Sequence, residues 1–311
     1  MLPDSTVPPA ATTEATPTAG AEVPTSATTT SRIATLANTL RDLPWTIWVS
    51  LAWLTAISLA ALLTRWLPLP DPNEPDYRYI ASGPSADHWL GTDQLGRDVL
   101  SRLIYGAQAS LQVGLMAVLL GMTFGVALGL LAGFFGGWVD TVISALSDLV
   151  LAFPALIFIM VLVAVRGASA PVLVFGIGAV MIPTFTRLTR ANTLAWKRRD
   201  FVTAAKVLGA KRGRIIVREV FPNVLPSVLA YAFIVVSVVM VAEGALSFLG
   251  FGLQPPTPSW GSMIAGGRNN LATSPHIVAF PALALLLTVS AFNLLGDHFR
   301  GRTHGESEVT L

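Results

Sequence analysis

The stretch LQVGLMAVLLGMTFGVALGLLAGFF, residues 111–135, contains no charged side chain. A helix that crosses a bilayer needs about 20 predominantly apolar residues at about 1.5 Å each, so this stretch is long enough to span one. Gly121, Gly125 and Gly129 recur at four-residue intervals, and Gly114 precedes them by two helical turns. Glycines at this spacing share one helix face, which predicts a span that another helix can approach closely.

The composition of the whole chain agrees with a membrane protein. Of the 311 residues, 53% are hydrophobic and only 12% are charged, whereas a soluble domain is about 25% charged. The surplus apolar surface must face something other than water, which favours a polytopic membrane protein. The chain contains no cysteine, so disulfides and cysteine-based metal sites are excluded.

Five further apolar stretches are long enough to span a bilayer. They are residues 45–66, 142–165, 170–187, 225–249 and 277–296. Pro154 and Pro183 interrupt the third and fourth of the six spans. The sequence therefore predicts an all-α integral membrane protein with six transmembrane helices.

The segments outside the spans divide the chain further. Residues 1–44 are rich in Ala, Thr, Pro and Ser and are predicted to form a disordered tail. Residues 67–110 form a long loop after the first span, and residues 111–296 form a five-helix core interrupted by a loop at 188–223. Residues 297–311 are predicted to be a polar tail.

Charge placement predicts the orientation. Ten of the 20 Lys and Arg residues lie between residues 187 and 218, whereas residues 67–110 carry six acidic residues and three arginines. Since Lys and Arg accumulate in cytoplasmic loops, the basic segment and both termini are expected in the cytoplasm.

The basic segment includes DFVTAAKVLGAKRGRIIVREVFPN, residues 200–223. Asp200 is a suitable N-cap and Gly209 a suitable C-terminal residue, so a helix of about two turns is expected between them. A second short helix is expected to stop at Pro222. One face of the first helix should carry Phe201, Ala204, Ala205 and Leu208. From the residues alone, this face could enter a groove of another protein, or the bases could contact lipid headgroups.

The segment resembles the EAA loop of ABC importer permeases, in which Ala-Ala is followed by Gly, a helix and Pro-Asn. Thr203 stands where that family usually has Glu, and Glu219 where the peptide branch often has His. The resemblance implies a coupling helix that docks into a separate ATPase. The residues implied for coupling are Phe201, Thr203, Ala204, Ala205, Leu208, Gly209, Arg218, Pro222 and Asn223.

Three other segments are similar to C-type dipeptide and oligopeptide permeases. They are HWLGTDQLGRDVLSRLIYGAQASL (88–111, with Gln108 where Arg is common), EGALSFLGFGLQPPTPSWGSMI (243–264) and FNLLGDHFRG (292–301). The resemblance implies the type I (MetI-like) importer fold and import of di- or oligopeptides, with nickel or another small solute as the alternative. It also implies an inner-membrane complex with a second homologous permease, two ATPases and an extracytoplasmic binding protein.

Residues 88–111 also predict a helix of their own. Thr92 or Asp93 could cap a helix that starts near Gln94, with Asp98 and Arg102 as an i, i+4 pair. Its apolar face would contain Leu95, Val99, Leu103 and Ile104. This amphipathic helix is expected to brace the bundle. Docking of the binding protein is a hypothesis that involves Asp93, Arg97, Asp98 and Trp260.

Two carboxylates, Asp148 and Glu243, fall within predicted spans. A charge there costs about 2.5 kcal/mol or more unless it is paired or faces water. Asp148 could make a structural hydrogen bond or line the substrate pathway, while Glu243 is favoured as part of the pathway or its outer gate.

The sequence contains no GxxxxGK[ST], HExxH or G-x-S-x-G motif. No metal or cofactor is therefore expected in this chain, and the resemblance implies ATP and Mg on the partner subunits. Bases interleaved with aromatics, as for nucleic acid, are also missing. The other class of function that stays open is a membrane scaffold whose basic segment only binds anionic lipid.

Overall fold

The computed structural model describes the backbone of residues 44–308 and the side chains of residues 44–301. The predicted N-terminal tail lies outside the described residues, except for Pro44. The described chain is helical. The helices are α1 (Trp45–Leu62), α2 (Val99–Phe135), α3 (Gly137–Ala152), α4 (Ala155–Arg166), α5 (Ala170–Trp196), α6 (Asp200–Val207), α7 (Arg212–Ile215), α8 (Phe221–Phe248), α9 (Trp260–Gly267) and α10 (His276–Glu308).

Five helical stretches are long and apolar enough to cross a membrane: α1, α2, α5, the run from Arg212 to Phe248, and α10 as far as Gly301. Helices α3 and α4 together form a sixth candidate, bent by 78° between them. The bend lies at Phe153 and Pro154, as the proline suggested. By length and composition, the described chain therefore supports the predicted six spans if the bent pair counts as one.

Helix α2 is packed against α5 along its glycine face. A Cβ atom at Gly125 would lie 2.5 Å from Cβ of Phe185, and one at Gly129 would lie 2.6 Å from the main-chain oxygen of Thr186. Gly121 meets Met181 in the same way, whereas Gly114 faces Met240 of α8. The predicted close helix contact is confirmed, and Phe185 is completely buried within it.

The separate amphipathic helix predicted from Gln94 is wrong. Gly96 has a φ of +78° and lies in a turn where its N–H donates to the Asp93 carbonyl, so a helix cannot begin before it. The helix starts instead at Val99, with the Asp98 carboxylate accepting from the Ser101 N–H at 2.7 Å. It then continues without a break to Phe135, so the predicted helix and the second span are one element.

Helix α5 extends nine residues beyond the predicted end of the fourth span, to Trp196. Two of its arginines pair with carboxylates of α3: Arg187 with Asp148 at 2.6 Å and Arg190 with Asp140 at 2.5 Å. Because these charges are matched by a neighbouring helix, the helix can continue through them. Pro183 lies inside α5 without ending it.

The predicted stop at Pro222 is also wrong. A π-helical turn, Ile216–Val220, joins α7 to α8, and Pro222 lies in the first turn of α8. The helical path from Arg212 to Phe248 is continuous through this turn, so Pro222 lies inside it and does not end it. The predicted tail at 297–311 is likewise helical as far as Glu308, since α10 continues through it.

Gly125→Ala should destabilise the fold. The added Cβ would overlap Cβ of Phe185 and the Ile182 carbonyl, and overpacking of this kind costs about 1–3 kcal/mol. Gly213→Ala is the matched control, because a Cβ there has nothing within 4 Å and Ala is the better helix former by up to about 1 kcal/mol. Thermal unfolding in detergent should show a lower Tm for Gly125→Ala alone. Equal Tm values for the two variants would contradict the close contact.

Candidate functional sites

The basic hairpin, residues 197–220, begins with the short helix α6. Arg199 occupies the N-cap position and makes no side-chain capping bond, so the prediction that Asp200 is the cap is wrong. Asp200 is the first helical residue. Its carboxylate still lies at the N-terminus, where the helix dipole favours a negative charge.

Gly209 ends α6 as predicted. Its φ is +77°, its N–H donates to the Lys206 carbonyl at 3.0 Å, and the Ala210 N–H donates to the Ala205 carbonyl at 3.0 Å. This pair of bonds is a Schellman motif, which satisfies carbonyls at the end of the helix. The turn redirects the chain towards α7.

One side of α6 faces the rest of the chain and the other faces away from it. Val202 is completely buried, whereas Val207 and Leu208 are 82% and 86% exposed. Ala204 is exposed, whereas Ala205 is half-buried. The Phe201 ring lies 6.2 Å from that of Trp196. The exposed apolar side chains of α6 are therefore Phe201, Ala204, Val207 and Leu208, which confirms three members of the predicted set, removes Ala205 and adds Val207. Sequence reasoning missed Val207, although it lies three residues after Ala204.

The remaining predicted coupling residues lie along or just beyond the hairpin. Thr203 and Arg218 are exposed, and Pro222 is the second residue of α8. Asn223 donates from Nδ2 to the Glu219 carbonyl at 2.6 Å, next to the π-helical turn. Ile215 and Val220 are buried, as is Val224 just after the hairpin, so the second, helical arm of the hairpin is anchored in the helix bundle by apolar contacts.

Glu243 lies at the other end of α8 and is only 1% exposed. Its Oε1 accepts from Ser247 Oγ at 2.9 Å and from Ser259 Oγ at 3.0 Å. Ser259 caps α9 through a capping box with Ser262. Glu243 thus ties the N-terminus of α9 to α8, and no open path reaches its carboxylate in this conformation. The S-x-x-S spacing at 259–262 is the sequence signal for this cap.

Asp148 differs from Glu243 in its surroundings. Its carboxylate pairs with Arg187 of α5 at 2.6 Å, and both side chains are more than half exposed. The structural bond to a neighbouring helix, one of the two predicted roles, is therefore present. A role in the pathway stays a prediction.

Trp260, predicted to dock a partner protein, is completely buried. Its Nε1 donates to the Leu103 carbonyl at 3.0 Å, and its main-chain N–H donates to Ser110 Oγ at 3.1 Å. It presents no surface to a partner in this conformation. Its large apolar ring holds α9 against α2 instead.

The other predicted docking residues, Asp93, Arg97 and Asp98, form a polar cluster in the loop that precedes α2. The Asp93 carboxylate accepts from Arg97 Nε at 2.8 Å and lies 3.5 Å from Arg102 Nε. Asp98 pairs with Nδ1 of His88 at 2.9 Å. The predicted Asp98–Arg102 side-chain pair is therefore wrong, because Asp98 is held by His88 and the Ser101 N–H. The buried Asp93 and Asp98 organise the loop; Arg97 is the only one of the three that is partly exposed.

Asp76, near this cluster on the same loop, accepts from Arg78 Nε at 3.0 Å and Nη2 at 2.9 Å. These bonds favour the ionised carboxylate and hold the pKa of Asp76 below its ordinary value. No group of three or more His, Asp or Glu within the described residues has a geometry that could hold a metal ion.

Residues 125–303 match the family of binding-protein-dependent transport system inner membrane components. The chain belongs to this family. The permease is also 41% identical over 243 residues to glutathione transport system permease proteins GsiD of Escherichia coli O6:K15:H31 and Shigella boydii serotype 4. Each alignment covers 78% of this chain and 80% of the relative.

A solved structure of the MetNI methionine ABC transporter in inward-facing conformations has the same fold. Its TM-score is 0.53 at 15% identity, and the match covers 65% of the permease and 96% of that chain. Together with the family, this confirms the predicted all-α, MetI-like architecture. The permease is a multi-pass inner-membrane subunit of an ABC importer, and the basic hairpin lies within the region that matches the family.

Glu243→Ala should destabilise the permease. The Ser247 and Ser259 hydroxyls would lose their acceptor inside the protein, and an unsatisfied buried polar group costs about 1–3 kcal/mol. Glu243→Gln keeps an acceptor oxygen and should retain most of the stability. Glu219→Ala is the control, because among the described residues no hydrogen bond to that carboxylate is found. In thermal unfolding, the Tm should be lowest for Glu243→Ala, while Glu243→Gln and Glu219→Ala should lie close to the wild type. A Tm unchanged by Glu243→Ala would refute the role of the cluster.

Proposed function

We propose that the permease moves di- or oligopeptides across the inner membrane. The observation that carries this proposal is its 41% identity, over 78% of the chain, to permeases named for transport of glutathione, which is itself a peptide. Residues 88–111 and 243–264, which resemble peptide permeases, pack together in the structure through Ser110 and Trp260. The two segments that resemble peptide permeases are therefore in contact in the folded chain.

We propose an orientation with both termini and the basic hairpin in the cytoplasm. The concentration of Lys and Arg in the hairpin supports this orientation, because such residues accumulate on the cytoplasmic side. The proposed assembly contains a second homologous permease, two ATPase subunits that bind ATP and Mg, and an extracytoplasmic binding protein. ATP hydrolysis is assigned to those partner subunits.

The exposed face of α6 is the proposed contact with an ATPase. A helix of eight residues is not stable alone in water, and an apolar face formed by Ala204, Val207 and Leu208 is suited to a groove of a partner. Thr203 lies beside this face. The Phe201 ring lies next to the Trp196 ring at the start of the hairpin. The turn at Gly209 and the hydrogen bond from Asn223 to the Glu219 carbonyl fix the shape of the hairpin. Arg218 adds a positive charge to its surface.

The hairpin is also connected to the spans in a way that could transmit movement. On one side it continues from α5, and on the other it leads through the π-helical turn Ile216–Val220 into α8. Buried Val202 and Ile215 link it to the bundle. We propose that closure of the ATPases moves the hairpin, which moves α5 and α8 and switches the pathway between its two sides by alternating access.

The proposed pathway residues are Asp148 and Glu243, as the sequence suggested. Asp148 lies on the bent pair α3–α4, where many apolar side chains are exposed in the single chain and a second permease could pack. A pathway role for Glu243 requires a conformation in which its serine bonds open. For the binding protein, Arg97 is the predicted residue that retains exposed surface, while Asp93 and Asp98 position it.

Leu208→Asp should release the ATPase. It places a charge in the centre of the proposed apolar contact, and burying an unpaired carboxylate is unfavourable by several kcal/mol. The ATPase should no longer copurify with the permease, and substrate-stimulated ATP turnover should fall by at least tenfold, equivalent to about 1.4 kcal/mol.

The matched control is Leu271→Asp, the same substitution at a half-exposed leucine outside the hairpin. It should leave copurification unchanged. If the Leu208→Asp complex remains intact and active, α6 is not the coupling helix.

The cargo is tested by uptake in a strain that lacks the gene. Labelled dipeptide, glutathione and nickel are supplied separately, and the gene is returned on a plasmid in wild-type form. Loss of peptide uptake, restored by the plasmid, is expected, with nickel uptake unaffected. A defect confined to nickel would overturn the peptide assignment.

A further inference from the structure

A basic cleft lies between the hairpin and the ends of two membrane helices. Its volume is about 410 Å³. Its lining includes Phe134 and Phe135 at the end of α2 together with Lys197, Lys206 and Arg212 of the hairpin. The cleft contains three cationic side chains and no carboxylate.

Among the residues whose side chains the structure describes, these three cations have no negative partner. Within the part of the chain whose side chains are described, no Asp or Glu oxygen lies within 4.0 Å of Lys197, Lys206 or Arg212. Lys197 donates to the Phe134 carbonyl at 2.5 Å, and its Nζ lies 5.6 Å from the centre of the Phe134 ring. This contrasts with Arg187 and Arg190, which are each matched by an aspartate.

Lys206 points away from the proposed ATPase contact. With about 100° between successive helical residues, Lys206 lies about 40° from Val202 and about 100° from Val207. Val202 is buried against the chain and Val207 is exposed. The cleft is therefore on the bundle side of α6, and a partner bound to Leu208 would not need to fill it.

The cleft lies where the uncharged stretch of α2 ends, which is where a membrane surface is expected. Phe135 ends both α2 and the predicted span 111–135, and α2 is long and apolar enough to cross a membrane. Phe135 is half-exposed and available to an acyl chain. Clusters of Lys and Arg at this depth attract anionic lipids, and basic pockets between spans bind phosphate headgroups.

We infer that this cleft binds the headgroup of an anionic phospholipid, with Lys197, Lys206 and Arg212 around the phosphate and Phe135 against the acyl chain. The inference goes beyond the proposed transport function and does not depend on the cargo. It assigns to three residues of the hairpin a specific ligand in the bilayer.

The test uses the full-length permease, purified with its associated subunits and stripped of lipid. Short-chain phosphatidylglycerol, short-chain phosphatidylcholine and inorganic phosphate are titrated separately, and bound molecules on the permease are counted by native mass spectrometry. Phosphatidylglycerol should bind at one saturable site. Equal binding of phosphatidylcholine would show that charge is not recognised, and binding of free phosphate as tight as that of the lipid would show a phosphate site instead; either result overturns the inference.

The decisive variant is Lys206→Gln/Arg212→Gln. Each basic residue near an anionic surface contributes about fivefold to affinity, so the dissociation constant should rise roughly 30-fold. Lys211→Gln/Arg214→Gln removes the same charge from exposed positions of the same hairpin that do not line the cleft and should bind as the wild type does. An equal loss of lipid affinity in the two double variants would mean that the lipid is attracted by overall charge and that no defined site exists.

A photocrosslink gives a second readout should the double variant fail to fold. The substitution Phe135→p-benzoylphenylalanine places the label at the mouth of the cleft. In nanodiscs its yield of lipid adducts should rise when phosphatidylglycerol replaces phosphatidylcholine. Equal yields in the two lipids would contradict the site.

Discussion

The contact between α2 and α5 is the constraint on which the rest of the permease depends. In a bilayer, lipid tails are as apolar as the helices, so helices associate through close packing more than through the hydrophobic effect. Gly121, Gly125 and Gly129 remove the side chains that would keep the two backbones apart. This contact places the ends of α2 and α5 side by side, and the basic hairpin follows directly from that end of α5.

Charged side chains have different partners in the helix bundle and in the hairpin. Asp140 and Asp148 match the two arginines of α5, and Glu243 is surrounded by serine hydroxyls. For Glu243, which is completely buried, these hydrogen bonds compensate for the loss of water. In the hairpin, by contrast, Lys206 and Arg212 have no carboxylate partner among the described residues. Unmatched charge there is tolerated because water or a headgroup can solvate it, and it leaves the hairpin able to bind an anionic ligand.

The hairpin combines two surfaces on one short element. Val207 and Leu208 face away from the bundle, whereas Val202 anchors the helix and Lys206 lines the cleft. A partner on the outer surface and a lipid on the inner surface would thus contact the same eight-residue helix. Because α6 is continuous with both α5 and α8 through short turns, any shift in its position is passed to two spans at once.

The sequence by itself determined the class of the protein, the number of apolar stretches, the glycine face of α2, the bend at Pro154 and the turn at Gly209. These features depend on local composition, helical periodicity and backbone freedom, which a single chain carries residue by residue. Only the tertiary structure decided that α2 begins at Val99, that α5 continues to Trp196 and that the helical path passes through Pro222. It also decided that Trp260 and Asp93 are interior groups and that Lys197 lies against Phe134. These outcomes depend on partners distant in sequence, such as Asp148 for Arg187 and Ser259 for Glu243, because a charge or a ring becomes buried only when another element supplies its contacts.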